Sequence, residues 1–403
     1  MDIPPSLCLA CRGSKRLCGL AYCPALVKVR LAPIRSLGRG IEGSSPPGLF
    51  VGRSGYPKVF VGPLVPPVSG ETKLYDTPEL WVGLGIEDVL EFRYSLVRGV
   101  ERVRVEDASS GRGIVEKLQE LAMAIEPVDS EMVLQKRPRG FSLSEHEPPF
   151  GPSGRLERIR IGNTKLSRQL EKAYYDTDWR ASDAIFELYR RGVEVSSIQK
   201  ALSAGCLGEA RKRRLVPTRW SITAVDDTIS RRLVDRLKEF PELDRFLVYF
   251  MRRQMNAFVA ILMPGAWSFE WMEAWFPKTT WNLRDRGEPE VMGDYEYWRG
   301  RRTYPDIGGC YFAARLAVAE ALLRMKRQAR CVLLREIYPG FTVPIGVWFV
   351  REHLREMFRG KPSSFSSYEE ALNYAFSKLK VPRERWLERS ALLKREAKLT
   401  GFL

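Results

Sequence analysis

The sequence holds only two histidines, His146 and His353. That scarcity excludes nucleases and phosphoesterases built on several histidine ligands, and any Ser-His-Asp or Cys-His arrangement would have to use one of these two. His146 sits in a proline-rich stretch and His353 in a helical pattern, where a structural role is expected. Long apolar runs are missing too. Stretches such as Val347-Trp348-Phe349-Val350 fall far short of the roughly 20 residues that a bilayer requires. The chain does not open on a basic segment followed by an apolar one, so the expected location is the cytoplasm, with no membrane partner. Gly38-Arg39-Gly40 and Gly52-x-x-Gly55 are glycine loops, but neither a P-loop nor a Rossmann fingerprint is present, and nothing points to ATP or NAD. Internal repeats and low-complexity segments are absent as well.

What is present is ordinary globular material. The 403 residues are enough for two or three domains, with 44% hydrophobic and 28% charged side chains. The 65 Lys and Arg exceed the 49 Asp and Glu, leaving a net charge of +16. An excess of this size favours a polyanionic partner, whether DNA, RNA or an anionic surface.

Five regions are expected along the chain. Residues 1–30 form a cysteine-rich head. Residues 31–125 open rich in Pro and Gly and read as a turn-rich β region, with strands at Leu49-Phe50-Val51 and Lys58-Val59-Phe60-Val61 and a helix over Ile114 to Ala124. Residues 126–160, broken by Pro127, Pro138, Pro148, Pro149 and Pro152, read as a linker or long loop. Residues 161–390 read as the α/β body. Helical spacing is clear there at Ala184 to Arg191, Arg231 to Phe240, Tyr311 to Arg327 and Val347 to Arg359. A further helix opens on the capping box Ser367-x-x-Glu370, and Cys331 to Leu334 reads as a strand. Residues 391–403 form a tail. The fold class expected is mixed α/β (α+β): a small N-terminal four-cysteine zinc module, a turn-rich β region and a larger helix-containing body.

Four of the seven cysteines fall within one short stretch, Cys8-x2-Cys11-x6-Cys18-x4-Cys23. Four thiolates can close a tetrahedral shell around Zn²⁺, and a C-x2-C turn lets two sulfurs reach one metal. An iron–sulfur cluster or unligated thiols are the other readings. A closed four-sulfur site leaves no open position, so its metal would be structural or serve a DNA-contacting module. Cys206, Cys310 and Cys331 are scattered and read as small core residues.

The segment Arg211-Lys212-Arg213-Arg214-Leu215-Val216-Pro217-Thr218-Arg219-Trp220 joins a run of cations to an Arg-Trp pair suited to phosphate contact and base stacking. Asp226 and Asp227 follow, and adjacent carboxylates can hold Mg²⁺ or Mn²⁺ for phosphodiester cleavage. The plainer reading is a solvated charge run and an Asp that caps the next helix. Glu336, after the strand at Cys331 to Leu334, is the further acid placed where active-site carboxylates often sit. Asp76, Glu79, Asp306, Glu320 and Glu352 read as surface or ion-pair residues. The aromatic cluster around Trp267, Phe269, Trp271, Trp275, Phe276 and Trp281 reads mostly as core. At the other end, Glu396-Ala397-Lys398-Leu399-Thr400-Gly401-Phe402-Leu403 resembles the PCNA-interacting peptide, with Glu396 where Gln is usual and Leu403 in place of a second aromatic. One 3₁₀ turn would bring Leu399 and Phe402 together for an apolar pocket.

These blocks together resemble one family, the archaeal Nre DNA repair proteins. The resemblance is carried by Cys8-Leu-Ala-Cys11-Arg-Gly with Cys18-Gly-Leu and Cys23-Pro, and by Gly43-Ser-Ser-Pro-Pro-Gly-Leu-Phe-Val-Gly-Arg-Ser-Gly-Tyr-Pro-Lys58. Gly62-Pro-Leu-Val-Pro-Pro67, Asp76-Thr-Pro-Glu-Leu-Trp81, Leu215 to Asp227 and Leu334-Arg-Glu-Ile-Tyr-Pro-Gly340 extend it over nearly the whole chain. The resemblance implies a role in the DNA-damage response, a zinc-finger-like head and docking on the sliding clamp (PCNA) through the C-terminal peptide. It implies no catalytic activity. Two functions are therefore expected. One is a DNA repair protein acting as a metal-dependent nuclease through Asp226, Asp227 and Glu336, with Arg53, Lys58, Arg219 and Trp220 on the strand. The other is a non-catalytic DNA-binding adaptor recruited by the clamp.

Overall fold

The computed structural model describes residues 3–11, 17–20, 23, 37–143 and 146–394. The C-terminal peptide Glu396, Leu399, Phe402 and Leu403 lies outside the described residues. The chain opens on a short helix, α1 (Pro5–Cys11), and divides into two compact units. Residues 31–229 form the middle unit; residues 1–30 with 230–403 form the second. Each carries a six-stranded mixed sheet, so the mixed α/β class holds for both. Among the described residues no helix is long and apolar enough to cross a membrane.

The sheet of the middle unit consists of β1 (Gly40–Ser45), β2 (Leu49–Val51), β3 (Lys58–Val65), β4 (Val97–Arg104), β5 (Val128–Leu134) and β6 (Ser153–Ile161). Their order is β1-β5-β6-β4-β3-β2, with β4 and β6 parallel and the other neighbours antiparallel. The strands expected at Leu49 and Lys58 pair with each other across the turn at 52–57. Residues 126–160, expected as a linker or long loop, instead supply β5 and β6. The prolines fall outside those strands, while Val128, Ser130, Met132 and Leu134 alternate inward at the period of a half-buried strand. The linker reading gave weight to the prolines and missed the alternation between them.

Helices α2 (Ile86–Ser95), α3 (Ile114–Met123), α4 (Arg168–Tyr175), α5 (Ala181–Arg190) and α6 (Val195–Ser203) complete the middle unit. They are followed by the long helix α7 (Thr218–Leu237). The helix expected from Arg231 is thus the second half of a much longer one, and the boundary between the units, at Ile229 and Ser230, falls inside it.

The second unit contains β7 (Phe246–Arg253), β8 (Asn256–Met263), β9 (Ser268–Trp275), β10 (Glu290–Glu296), β11 (Arg330–Ile337) and β12 (Ser363–Phe365). The order is β10-β9-β11-β8-β7-β12, and only β9 and β11 run parallel. Every residue of β8 is buried, as expected of a strand covered on both faces. Helix α8 (Cys310–Met325) is apolar nearly all round and correspondingly buried, with Arg315 its one deeply buried charge. α9 (Trp348–Met357) sets Arg355 in a two-pronged pair with Glu320 of α8. α10 (Tyr368–Ser377) and α11 (Arg383–Arg389) cover the sheet with Leu372, Ala375 and Trp386 against Val259, Ile261, Val332 and Leu334. Ser367 caps α10 by accepting from the Glu370 amide at 3.3 Å. His353 is buried in α9 beside Phe349, its Nδ1 2.7 Å from the Phe349 carbonyl, and burial pushes its pKa down to about 4.

The closest approach between strands of the middle unit explains one of the glycine-bearing blocks. A β-carbon on Gly62 of β3 would run into the Gly99 carbonyl of β4, and one on Gly99 would meet Met132 of β5. Neither position has room for a side chain. Gly62→Ala is expected to push β3 from β4 and destabilise the fold by about 3 kcal/mol. A chemical-denaturation midpoint unchanged from the parent chain would show that the strands can part without penalty.

Candidate nucleic-acid interface

The turn between β2 and β3 is closed by main-chain bonds. Gly52 donates to the Phe60 carbonyl at 2.7 Å and Lys58 to the Gly55 carbonyl at 2.9 Å. Gly55 takes a positive φ of 82°, a conformation a side chain disfavours, and a β-carbon there would lie 3.2 Å from the Arg102 guanidinium. The turn therefore sets Arg53 and Tyr56 on the surface, with Arg102 alongside. Lys58 starts β3 opposite Arg104, and Phe60 follows opposite Arg102. All four are exposed. Facing cations on neighbouring strands repel, and Glu106, 3.6 Å from Arg104, offsets part of that repulsion.

The first turn of α7 reaches the same place. Thr218 Oγ1 accepts from the Val51 amide at 2.9 Å, tying the helix start to the end of β2. The next residue, Arg219, presents its backbone N–H to the carboxylate of Glu147. Trp220 is exposed, with its ring 5.4 Å from that of Tyr56. An unsatisfied N–H at a helix start, together with the helix dipole, favours an anion, and here the chain supplies one of its own.

Glu147 is also surrounded by guanidinium groups. Withdrawal from water pushes its carboxyl above the usual carboxylate range, opposed by Arg219, Arg53 and Arg98 and by the Arg219 amide. Burial lowers Arg53, and the neighbouring Arg219 lowers it further, while Glu147 acts the other way. Burial likewise pushes Arg98 down to about 10, with Glu147 opposing and the nearby Arg93 reinforcing the shift. Arg98 stacks over Phe50 at 4.7 Å and Phe150 at 5.2 Å, and donates to the Gly151 carbonyl. Arg93 lies behind it, paired with Asp76 and donating to the Pro149 carbonyl at 2.9 Å. Asp76 thus holds Arg93 and Lys200, and Glu147 faces Arg219, Arg53 and Arg98.

The structure distributes the residues expected from sequence unequally. It brings Arg53, Lys58, Arg219 and Trp220 to this one surface. Of the run 211–214, Arg214 shares Glu106 with Arg104 at the edge of this surface, whereas Arg213 turns inward. Arg213 is buried and donates to the carbonyls of Gly208 and Asp176, both at 2.8 Å. Arg214 pairs with Glu106 and Lys212 with Glu209, while Arg211 is exposed. Sequence reasoning missed Tyr56, Arg98, Arg102, Arg104 and Glu147. The strand periodicity of Val97 to Arg104, which puts Arg98, Arg102 and Arg104 on one face, would have found the arginines.

The acids belong to different elements. Asp226 and Asp227 lie within α7, about 100° apart around its axis, and neither caps a following helix. Asp226 is fully buried and accepts from Gln199 Nε2 at 3.1 Å, and Asp227 is half-buried. Glu336 lies inside β11 of the second unit, not after the strand. Its carboxylate accepts from Tyr338 Oη at 2.6 Å and from the amides of Lys380 and Val381, the latter at 2.7 Å. Asp76 and Glu79 are structural. Asp76 holds Arg93 and Lys200, and Glu79 accepts from the Ser196 amide and hydroxyl at the start of α6.

None of Cys8, Cys11, Cys18 and Cys23 is in a disulfide. The Cys8 thiol is pushed up to about 11, first by burial and then by the nearby sulfurs of Cys23, Cys11 and Cys18. Four soft sulfur donors of this kind suit Zn²⁺. Among the described residues, no three His, Cys, Asp or Glu side chains are already set as ligands of one ion.

Comparison with known proteins covers nearly the whole chain. A family model described as "Archaeal Nre, N-terminal" matches residues 17–282, and one described as "Archaeal Nre, C-terminal" matches residues 296–402. The chain is 48% identical over 391 residues to DNA repair protein NreB of Archaeoglobus fulgidus, covering 96% of this chain and 97% of that one. It is 37% identical to DNA repair protein NreA of the same organism, covering 98% of both. With NreA of Haloferax volcanii it shares 36% identity over 83% of this chain and 82% of that protein. No solved structure matches significantly. Both halves match the family models, and the relatives align almost end to end: the chain belongs to the archaeal Nre family.

Proposed function

We propose that this chain is a DNA repair protein that holds a DNA strand on the surface formed by Arg53, Tyr56, Lys58, Arg102, Arg104, Arg219 and Trp220. The observation that carries the reading is the anion cradle at the start of α7, where three guanidinium groups around one carboxylate border an exposed aromatic pair. Guanidinium groups and a helix-start amide suit a phosphate, and Tyr56 and Trp220 suit a base beside it. That the relatives are DNA repair proteins supports DNA as the polyanion. Glu147 stands in this cradle in place of a phosphate, so DNA binding is an exchange of one anion for another. The burial of Asp226 against Gln199 and the engagement of Glu336 by Tyr338 and the amides of Lys380 and Val381 favour the binding adaptor over the metal-dependent nuclease.

Two further parts complete the proposal. Cys8, Cys11, Cys18 and Cys23 hold a structural Zn²⁺ that organises the N-terminal head. Glu396, Leu399, Phe402 and Leu403 dock on the sliding clamp.

Arg53→Ala with Arg219→Ala should weaken binding of a labelled single-stranded oligonucleotide about tenfold or more and flatten the salt dependence by about two phosphate contacts. Equal affinity and an equal salt slope would reject the surface. Glu147→Gln keeps the shape and removes the competing charge, and should bind the same oligonucleotide several-fold more tightly. Weaker binding by a variant that melts like the parent would show that Glu147 assists the contact rather than competing for it. For the head, elemental analysis of the purified chain should return about one zinc per molecule, lost in Cys8→Ser with Cys11→Ser; iron, or no metal, would refute the zinc assignment. Removing residues 396–403 should abolish clamp capture and leave oligonucleotide affinity unchanged, and capture by the truncated chain would place the clamp contact elsewhere.

A further inference from the structure

The second unit carries an aromatic and basic surface that the site above does not include. Four of the exposed large hydrophobic side chains crowd into ten residues at the end of β10: Tyr295, Tyr297, Trp298 and Tyr304, each 40–56% exposed. Between them stand Arg299, Arg301 and Arg302. An aromatic ring turned to water normally signals a partner for its face.

The loop is held firmly from behind. Glu296, between the two exposed tyrosines, is buried and accepts from Arg315 at 2.7 Å, Tyr311 Oη at 3.0 Å and Trp267 Nε1 at 3.3 Å. Its neighbours Tyr295 and Tyr297 are thereby turned outward, with ring centroids 5.2 Å apart. Arg301 folds back and closes the loop, pairing with Asp294 at 2.7 Å, donating to the carbonyls of Tyr295 and Thr303 and lying over the Tyr311 ring. Asp294 also accepts from the Ile307 amide at 3.0 Å, and the Arg301 carbonyl accepts from Arg231. Tyr304 packs edge-on against Phe312 of α8. Rings fixed in this way lose little freedom when a ligand stacks on them.

The charge around the rings is positive. Lys238 lies over the Trp298 ring at 5.1 Å. Arg299, Arg302 and Arg231 are exposed, against the exposed acids Asp235 and Asp306, of which Asp235 is 3.7 Å from Lys238. Ring faces set among guanidinium groups fit bases and phosphates together, the combination found in proteins that grip single strands.

We infer that the loop from Tyr295 to Tyr304 is a second strand-binding surface, which stacks unpaired bases of single-stranded nucleic acid on Tyr297 and Trp298 and meets their phosphates with Arg299, Arg302 and Lys238. The choice of DNA as the strand rests on the function proposed above; the surface itself does not depend on Arg53 or Trp220. Its test compares Tyr297→Ala with Trp298→Ala against Tyr56→Ala with Trp220→Ala, in the full chain, with a fluorescent oligothymidylate. A bromodeoxyuridine-bearing strand is cross-linked in parallel and the adducts are mapped by mass spectrometry. The Tyr297/Trp298 variant should bind about tenfold more weakly while melting like the parent, Tyr297→Phe with Trp298→Phe should restore most of the affinity, and adducts should fall within 295–304. If only the Tyr56/Trp220 variant loses affinity and no adduct falls within 295–304, this inference is overturned and the first surface stands. If only the Tyr297/Trp298 variant loses affinity, this inference stands and the first surface falls. A labelled polyglutamate bound as tightly as the oligonucleotide, with the same loss in the Tyr297/Trp298 variant, would overturn the inference in favour of an acidic protein partner.

Discussion

A guanidinium group removed from water has to recover its solvation from carbonyls, carboxylates and ring faces, and the middle unit is arranged around two that do so. Arg93 is given Asp76, the Pro149 carbonyl and the faces of Trp81 and Phe150. Arg98 is given the Gly151 carbonyl and the faces of Phe50 and Phe150. Phe150 thus lies against both cations, and the segment that carries it also carries Glu147. Asp76 also holds Lys200 of α6. Remove the arginines and the chain from Glu147 to Phe150 keeps its bridge to Ser142 but loses the cation contacts of Phe150 and Pro149.

The second unit follows the same rule with different parts. Glu336 and Glu270 are buried acids satisfied mostly by backbone amides, Glu336 by those of Lys380 and Val381 and Glu270 by those of Ala391 and Leu392. Each therefore fastens a loop beside the sheet. Arg335 is enclosed by Phe258, Trp275, Phe341 and Phe349 and is paired with Glu273 at 3.0 Å. The densest aromatic stretch of the sequence serves as packing of this kind, as its composition suggested.

Local chemistry was legible in the sequence where one short segment settles it. The Ser367 cap, the strands flanking the 52–57 turn and the ends of α5 and α8 are instances. What could not be read depends on contacts across long separations. Glu147 meets Arg219 from 72 residues away in the chain, and no local pattern marks that meeting. The cationic run 211–214 looked like an interface because charges adjacent in sequence look like a patch, yet Arg213 faces inward. The Asp226-Asp227 doublet read differently on a strand and on a helix, and a helix that begins at Thr218 decides the matter by burying the first of the two. The loop from Tyr295 to Tyr304 went unread because its aromatic residues gain meaning only when Glu296 is seen to point inward between them.

A cradle that already contains a carboxylate behaves as an ion exchanger. Its affinity for a strand is the difference between two favourable contacts rather than the whole of one, which sets a ceiling on how tightly any single phosphate is held. The departing phosphate is also replaced at once by a tethered competitor whose effective concentration does not dilute. On the function proposed above, such a surface would release DNA readily without having to expose a naked charge cluster to solvent.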